Sequence, residues 1–98
     1  MRVFQKTVAA AGTPEQLTTT KLTSCGSVLV FAEKANMAAN TGAVYLGLKG
    51  MSKTTGAGVI AKLASGGSLV IPEIEGTASD ALWVDADTNG DGVRVVWC

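Results

Sequence analysis

Short apolar stretches, interrupted every few residues by glycine or by polar turn residues, make up most of this chain. Their length and their content of β-branched residues are typical of strands, whereas helical periodicity is scarce. The segment 33–40 has a helix-forming composition, but its two asparagines and the nearby Gly42 limit it to about one turn. We therefore predict strands at 3–9, 16–20, 27–32, 43–48, 58–63, 68–71, 81–84 and 93–97.

Alternation of side-chain types predicts which strand faces are buried. In the last strand, Val93, Val95 and Trp97 occupy alternate positions and therefore share one face. The run 28–31 is apolar on both faces, so we expect its outer side to be covered as well, by a second sheet or by a neighbouring subunit. These patterns predict an all-β fold of seven to eight short strands, a compact antiparallel β-sandwich or small β-barrel, with a jelly roll as one form of it.

The turns between the strands contain residues that favour chain reversal. The segment 64–67, Ala-Ser-Gly-Gly, is interpreted as a hairpin turn between its two flanking strands. The segment 50–56 is polar and long enough to reach a neighbouring molecule. No boundary divides the chain, so we predict one β domain over residues 1–98.

The composition indicates a protein that contacts partners. Hydrophobic residues make up 47% of the chain and charged residues 16%, which is a low charge content for a free-standing monomer of 98 residues. No segment resembles a signal peptide or an apolar membrane span, so we expect a soluble protein made in a cytosol. In that setting Cys25 and Cys98 favour free thiols, with a disulfide between them as the alternative.

Charge is balanced overall but unevenly distributed. Residues 1–62 contain seven basic and two acidic side chains, and residues 63–98 contain one basic and six acidic side chains. The two parts therefore carry net charges of +5 and −5. This polarity is compatible with docking to a partner or between copies of the chain, and also with ordinary solvated loops.

Residues that serve most catalytic sites are scarce. The absence of histidine removes the usual general base near neutral pH, the usual nitrogen ligand of zinc, and the Ser-His and Cys-His nucleophiles. The carboxylate pairs at 73/75 and 85/87 could each share a strand face, but glycosidase chemistry also requires a cleft that so small a domain hardly provides. Lysines are scattered singly, without interleaved aromatic residues. We predict no enzyme activity, no cofactor, and no binding to nucleic acid or membrane.

The segment 85–92, Asp-Ala-Asp-Thr-Asn-Gly-Asp-Gly, allows two interpretations. Its first six residues match a calcium-binding loop, with oxygen ligands at positions 1, 3 and 5 and glycine at position 6. Position 12 of such a loop, normally glutamate, is a valine here, and the flanking segments are strands. Asn-Gly and Asp-Gly steps also favour tight hairpin turns. We favour the turn of a final β-hairpin, and a weak calcium site remains the alternative. The candidate calcium ligands are Asp85, Asp87, Asn89 and Asp91.

Several short motifs together resemble a known class of proteins. The motifs are Cys-Gly-Ser-Val-Leu-Val at 25–30, Asn-Thr-Gly-Ala-Val-Tyr-Leu-Gly at 40–47, Leu-Ala-Ser-Gly-Gly-Ser at 63–68, and Leu-Trp-Val-Asp-Ala at 82–86 followed by Gly-Val at 92–93. Over most of residues 8–97 the chain resembles small β-rich virion proteins of tailed bacteriophages, which include the capsid decoration (cement) proteins. Many of these proteins carry a proline-glycine turn where this chain has Ser-Gly-Gly.

The resemblance implies a compact β-barrel or sandwich that attaches in many copies to a capsid, commonly as trimers, and has no catalytic residues. We therefore expect a structural protein of the virion, assembled in the host cytoplasm, which binds the major capsid protein on the capsid surface and forms a homotrimer. The alternative is another virion surface module of the head fibre, neck or tail, in which an exposed Trp83 or Tyr45 contacts a host glycan. For both tryptophans, Trp83 and Trp97, the favoured interpretation is packing in a core or interface.

Contacts with the capsid or between subunits are predicted in exposed loops at 33–40 and 49–56 and in the N-terminal strand. The residues predicted to make these contacts are Glu33, Lys34, Met37, Lys49, Met51 and Lys53.

Overall fold

The computed structural model of the chain describes residues 2–24, 26–72 and 77–97. Within these ranges there are ten strands and two short 3-10 helices, at Ala35–Met37 and Ser79–Ala81. None of the helices in the described residues has the length and the apolar character needed to cross a membrane. The strands are β1 Arg2–Thr7, β2 Glu15–Gln16, β3 Val28–Phe31, β4 Glu33–Lys34, β5 Ala38–Ala39, β6 Val44–Leu48, β7 Val59–Leu63, β8 Ser68–Ile71, β9 Leu82–Ala86 and β10 Gly92–Trp97.

Two four-stranded sheets form a β-sandwich, which confirms the predicted fold class. The first sheet has the strand order β1-β10-β3-β8, the second has the order β2-β9-β6-β7, and each pair of neighbours is antiparallel. Each of the eight predicted strands has a counterpart, although β2 is shorter than predicted. The segment 33–40, predicted as about one helical turn, is instead a small hairpin of β4 and β5 with a 3-10 turn at its tip.

Alternate positions of the central strands fill the core between the sheets. In β10 the predicted inward face is confirmed, because Val93, Val95 and Trp97 are all buried. Val84 of β9 and Leu46 of β6 face them from the second sheet and belong to the same apolar cluster. Full burial of one such aliphatic side chain contributes about 1.5–3 kcal/mol, so this cluster is the main source of stability.

Two connections that the sequence predicts as hairpin turns cross from one sheet to the other. The segment 64–67 joins β7 of the second sheet to β8 of the first, and the segment 85–92 joins β9 of the second sheet to β10 of the first. Both hairpin predictions are therefore wrong. Local glycine and asparagine content indicates that the chain reverses, but it does not determine which strand the next segment pairs with.

The chain itself covers part of the outer face of the second sheet. After β6, the loop 49–58 folds back so that Met51 is only 4% exposed and Leu48 N donates a hydrogen bond to Gly58 O (3.0 Å). Gly47 makes this approach possible, because a Cβ there would overlap the carbonyl oxygen of Gly58 and lie 3.0 Å from Met51 Sδ. This packing holds the polar loop 49–58 against the sheet.

Candidate functional site

The segment 85–92, called the acidic corner below, lies where the chain passes from the second sheet to the first. Backbone hydrogen bonds attach it to two loops that are distant in sequence. Val8 N donates to Asp91 O (2.8 Å) and Gly90 N donates to Val8 O (2.9 Å), while Asp87 N donates to Ala43 O (3.0 Å). The acidic corner therefore joins the ends of the segments 8–12 and 40–43.

Asp91 fixes the segment 40–43 through both oxygens of its carboxylate. Its Oδ1 accepts a hydrogen bond from Thr41 N (2.9 Å), and its Oδ2 accepts one from Gly42 N (2.8 Å). Asp91 is 1% exposed, and the two hydrogen bonds are partly buried. Gly42 has little space for a side chain, because a Cβ would lie 3.1 Å from Thr88 Oγ1. The carboxylate of Asp91 therefore accepts two hydrogen bonds and fixes the turn at 40–43.

Asp85 and Asn89 hold the segment 8–12 in a similar way. The Oδ1 atom of Asp85 accepts hydrogen bonds from Gly12 N (2.9 Å) and Ala86 N (2.7 Å), and the residue is 1% exposed. The Oδ1 atom of Asn89 accepts from Ala11 N (2.7 Å). Hydrogen bonds from backbone amides to a carboxylate are among the stronger ones in proteins. Three side chains of the acidic corner thus hold two loops.

Asn40 is a buried side chain of this region whose structural role was not predicted from the sequence. Its amide group bonds both backbone groups of Gly92, with Nδ2 donating to Gly92 O (2.9 Å) and Oδ1 accepting from Gly92 N (3.0 Å). This pairing resembles the one that a neighbouring strand would provide. Its own carbonyl oxygen accepts a hydrogen bond from Ser65 Oγ (2.6 Å). In the sequence this asparagine is the first residue of the motif 40–47, and nothing there indicates that it is buried.

Asp87 differs from its neighbours in the acidic corner, because its carboxylate faces the surface. Lys53 Nζ lies 3.1 Å from its Oδ1 atom and also donates to Ala86 O (2.7 Å), and the hydroxyl of Tyr45 donates to the same carboxylate. The ammonium groups of Lys53 and Lys62 lie 5.8 and 5.7 Å from the centre of the Tyr45 ring. The ring is 8% exposed, so it is not the open surface that glycan stacking requires. Trp83 is half-buried.

The four candidate calcium ligands serve different partners in the structure. Asp85 and Asp91 bind backbone amides, Asn89 binds Ala11 N, and Asp87 binds Lys53 and Tyr45. Among the described residues, no group of three or more acidic or cysteine side chains is arranged to hold a metal ion. The oxygens that calcium would use are directed at donors from the chain itself.

The six residues predicted to contact partners occupy two separate places. Glu33, Lys34 and Met37 lie in the β4–β5 hairpin, and Lys49, Met51 and Lys53 lie in the loop 49–58. Met37 is 67% exposed and Lys49 is exposed, whereas Met51 is buried in the fold and Lys53 is bonded to the acidic corner. Their contact role stays a prediction, and the side chains of Met51, Lys53 and Glu33 already make contacts within the fold.

The uneven charge along the sequence is partly neutralised within the molecule. Lys53 from the basic part pairs with Asp87 from the acidic part at 3.1 Å, and Arg94 from the acidic part pairs with Glu33 from the basic part at 3.3 Å. These two ion pairs bring side chains from the two parts of the sequence into contact. Cys25, Cys98 and the carboxylate pair at 73/75 lie outside the described residues.

Two ion-paired carboxylates should make stability depend on pH. Burial raises the pKa of Glu15, but hydrogen bonds from Ala10 N, Lys6 and Ala9 N outweigh it, so this pKa lies below its ordinary value of 4.5. The hydrogen bond from Lys53 lowers the pKa of Asp87 below 3.8, against a smaller effect of burial. A lowered pKa in the folded state contributes stability above the unfolded pKa, and this contribution is lost as the pH falls through the folded value.

We therefore expect the stability contributed by these groups to be level between pH 7 and about pH 5.5 and to decrease as the pH falls below about 4.5. The Glu15→Gln variant should be less stable at pH 7, and its stability should decrease less steeply in acid. Urea denaturation at a series of pH values measures both effects. A variant whose stability falls as steeply as that of the unmodified chain would contradict the assignment to Glu15.

No protein-family model, curated protein or solved structure matches this chain. Functional interpretation therefore depends on the geometry described above and on the resemblance of the sequence motifs. In the described residues, the acidic side chains of the corner act as hydrogen-bond acceptors that fix loops. These hydrogen bonds stabilise the connections between the two sheets.

Proposed function

We propose that the chain is a structural virion protein, a capsid decoration (cement) protein that binds the outer surface of a phage head and stabilises the junctions between capsomers. The resemblance of the motifs at 25–30, 40–47 and 63–68 supports this proposal. The acidic corner supports it as well, because its described polar side chains form hydrogen bonds that stabilise the fold, as expected of a structural protein. The partner is the major capsid protein, and the homotrimer that the resemblance implies stays a prediction.

A protein of this kind acts by burying apolar and hydrogen-bonding surface across the boundary between neighbouring capsid subunits. The binding free energy stabilises the assembled shell, because the bound state exists only when the subunits are in place. Each contact can be weak, since attachment at several points on one shell raises the effective concentration of the remaining contacts. A rigid domain with an exposed apolar tip is suited to this role.

The observation that carries the proposal is the tip of the β4–β5 hairpin. Asn36 and Met37 both have left-handed backbone conformations, with φ of 63° and 59°. This conformation costs roughly 1–2 kcal/mol for most residues with a Cβ atom, and since asparagine adopts it more readily, the cost falls mainly on Met37. Met37 is also 67% exposed, so an apolar side chain is displayed at a strained position. Strain of this kind is concentrated at functional sites, where the surrounding structure maintains it.

The base of the hairpin is held against the first sheet, which keeps the tip in place. Gln5 Nε2 donates a hydrogen bond to Glu33 O (3.2 Å), and Arg94 Nη2 donates to Glu33 Oε1 (3.3 Å). Arg94 is itself fixed over the ring of Phe31, with its guanidinium carbon 5.1 Å from the ring centre. Several contacts therefore attach the base of the hairpin to the first sheet. Because Met37 is already held in place, binding to a capsid would not have to order a flexible loop.

Heating of phage heads tests the proposal. Heads assembled with the unmodified chain should release DNA at a higher temperature than heads assembled without it. The Met37→Asp variant should bind heads more weakly and restore less of the difference. The control Leu48→Asp changes another exposed apolar side chain and should behave as the unmodified chain does. An unchanged release temperature on removal of the chain would overturn the cementing role, and a low copy number per particle would favour a neck or tail location.

A further inference from the structure

The outer face of the first sheet carries an unbroken row of apolar side chains. Val3 of β1 is paired with Val96 of β10, Val96 is paired with Leu29 of β3, and Leu29 is paired with Val70 of β8. Val3, Leu29 and Val70 are 59%, 40% and 53% exposed, and Val96 is half-buried. The inward neighbours along these strands are the core residues, so the row points away from the core. We call these four residues the apolar row.

A row of this composition is unusual for a sheet face that contacts water. Antiparallel sheets with one solvated face normally alternate between apolar residues inside and polar residues outside. The next row on the same face, Gln5, Arg94, Phe31 and Ser68, is polar at three of its four positions. The alternation of apolar inside and polar outside residues is therefore broken at the apolar row. This row crosses four strands and is three strand spacings long, about 14 Å.

The chain covers part of each outer face of the sandwich but leaves the apolar row uncovered within the described residues. The loop 49–58 covers part of the second sheet and buries Met51 there. On the first sheet, the β4–β5 hairpin is attached beside Gln5 and Arg94, and the apolar row is left exposed among the described residues. The apolar outer side of 28–31 predicts a cover, and within the described residues the chain does not supply one for Leu29.

We propose that a second copy of this chain covers the apolar row, with the first sheets of the two copies packed face to face. The charges of the face favour this partner. In the two described rows, the single charged side chain is Arg94, and it is paired with Glu33 of the same chain. A second copy therefore brings one neutral apolar row against another and introduces no unpaired charge, whereas a charged surface would lose solvation without a complementary group.

Such a contact has two-fold symmetry. A two-fold axis that lies in the plane between the sheets places the apolar row of one copy over that of the other. Val96 and Leu29 occupy the two central strands, so they lie near the middle of the contact whether the axis follows the strands or the row. A trimer requires two different patches on each copy, so this contact is distinct from the predicted homotrimer and stands whether or not the chain decorates a capsid.

The size of the face indicates a weak association. Four strands about 4.8 Å apart and a longest strand of six residues at about 3.3 Å per residue give a footprint of at most about 400 Å² per copy. A standard stable interface buries about 800 Å² per partner. The contact is therefore expected to form at high micromolar concentrations in solution, and to be strengthened wherever copies are held close together.

Sedimentation equilibrium of the purified chain, from about 10 μM to about 1 mM, tests the inference. The unmodified chain should pass from monomer to dimer in this range, and Val96→Lys should raise the dissociation constant at least roughly tenfold, because it places an unpaired charge in the contact. The control Ile60→Lys alters an exposed apolar side chain of the second sheet and should leave association unchanged. If Val96→Lys does not fold, Val3→Lys, on the edge strand β1, replaces it as the test variant.

A mixture of two variants tests the face-to-face geometry directly. Val96→Lys and Val96→Glu should each be monomeric alone, because like charges meet at the centre of the contact, and the equimolar mixture should form heterodimers. A chain that stays monomeric to 1 mM, or an oligomer of any size that the variants at Val96 leave intact, would overturn the inference. If the unmodified chain is monomeric and Val96→Lys no longer attaches to phage heads, the apolar row binds the capsid and not a second copy.

Discussion

Replacement of Asp91 by alanine is expected to lower the free energy of unfolding by about 4 kcal/mol. The carboxylate accepts hydrogen bonds from Thr41 N and Gly42 N, and it is 1% exposed. Alanine would leave these two partly buried backbone donors without their partners, and an unsatisfied donor costs about 1–3 kcal/mol. For a domain of this size, whose total stability is about 5–15 kcal/mol, this is a large fraction.

Two further variants separate the hydrogen bonds from the charge of the corner. Asp91→Asn retains one acceptor oxygen but directs an NH₂ group at the second donor, so we expect a loss of about 2 kcal/mol. Asp87→Ala removes a carboxylate from the same segment, but one that is exposed, and should cost less than about 1 kcal/mol. Urea denaturation measures all three. Equal losses at Asp87 and Asp91 would show that charge, and not the pair of buried hydrogen bonds, stabilises the corner.

The strands of this protein could be predicted because their signal is local. In β10 the alternation of Val93, Val95 and Trp97 is enough to indicate both a strand and its buried face. The run 28–31 also indicated that both faces of β3 are apolar, but the expected cover is missing for Leu29 within the described residues, where this side chain is 40% exposed. The segment 33–40 was predicted as about one helical turn because its composition suits a helix. Composition did not reveal that β4 and β5 pair with each other on either side of the 3-10 turn.

Connections between the sheets could not be predicted from the same local signals. At 64–67 and 85–92 the residues favour a tight reversal, and the chain does reverse at both places. A reversal is compatible with pairing to the preceding strand and with crossing to the opposite sheet. The choice is made by non-local contacts, such as the hydrogen bond from Ala32 N to Gly67 O (2.8 Å), which attaches the first of these turns to the end of β3.

The role of the acidic corner was hidden for a similar reason. The partner of Asp85 is the backbone of Gly12, 73 residues away, and the partners of Asp91 are 50 and 49 residues away. A backbone N–H exists at almost every position, so no residue type marks it as the partner of a distant carboxylate. Residue types alone suggested calcium or a hairpin, and the structure shows carboxylates that bind the loops of their own chain.

Replacement of Gly92 by alanine is expected to destabilise the fold by about 3 kcal/mol, because the first residue of β10 has no room for a side chain. A Cβ atom there would overlap the carbonyl oxygen of Lys6 and lie 3.2 Å from Thr7 Cα, both in the backbone of β1. Gly92 cannot easily move away, since Asn40 binds its N–H and its C=O. Relief of the overlap would therefore break either the β1–β10 pairing or the Asn40 hydrogen bonds.

The matched control is Gly26→Ala, because a Cβ atom at Gly26 would meet no atom within 4 Å and its backbone is not left-handed. We expect this control to change the stability by no more than about 0.5 kcal/mol. Combining Gly92→Ala with Asn40→Ala should cost less than the sum of the two single changes, since freeing the glycine lets its backbone shift away from Lys6. Strict additivity in thermal or urea denaturation would show that Asn40 does not hold Gly92 against β1.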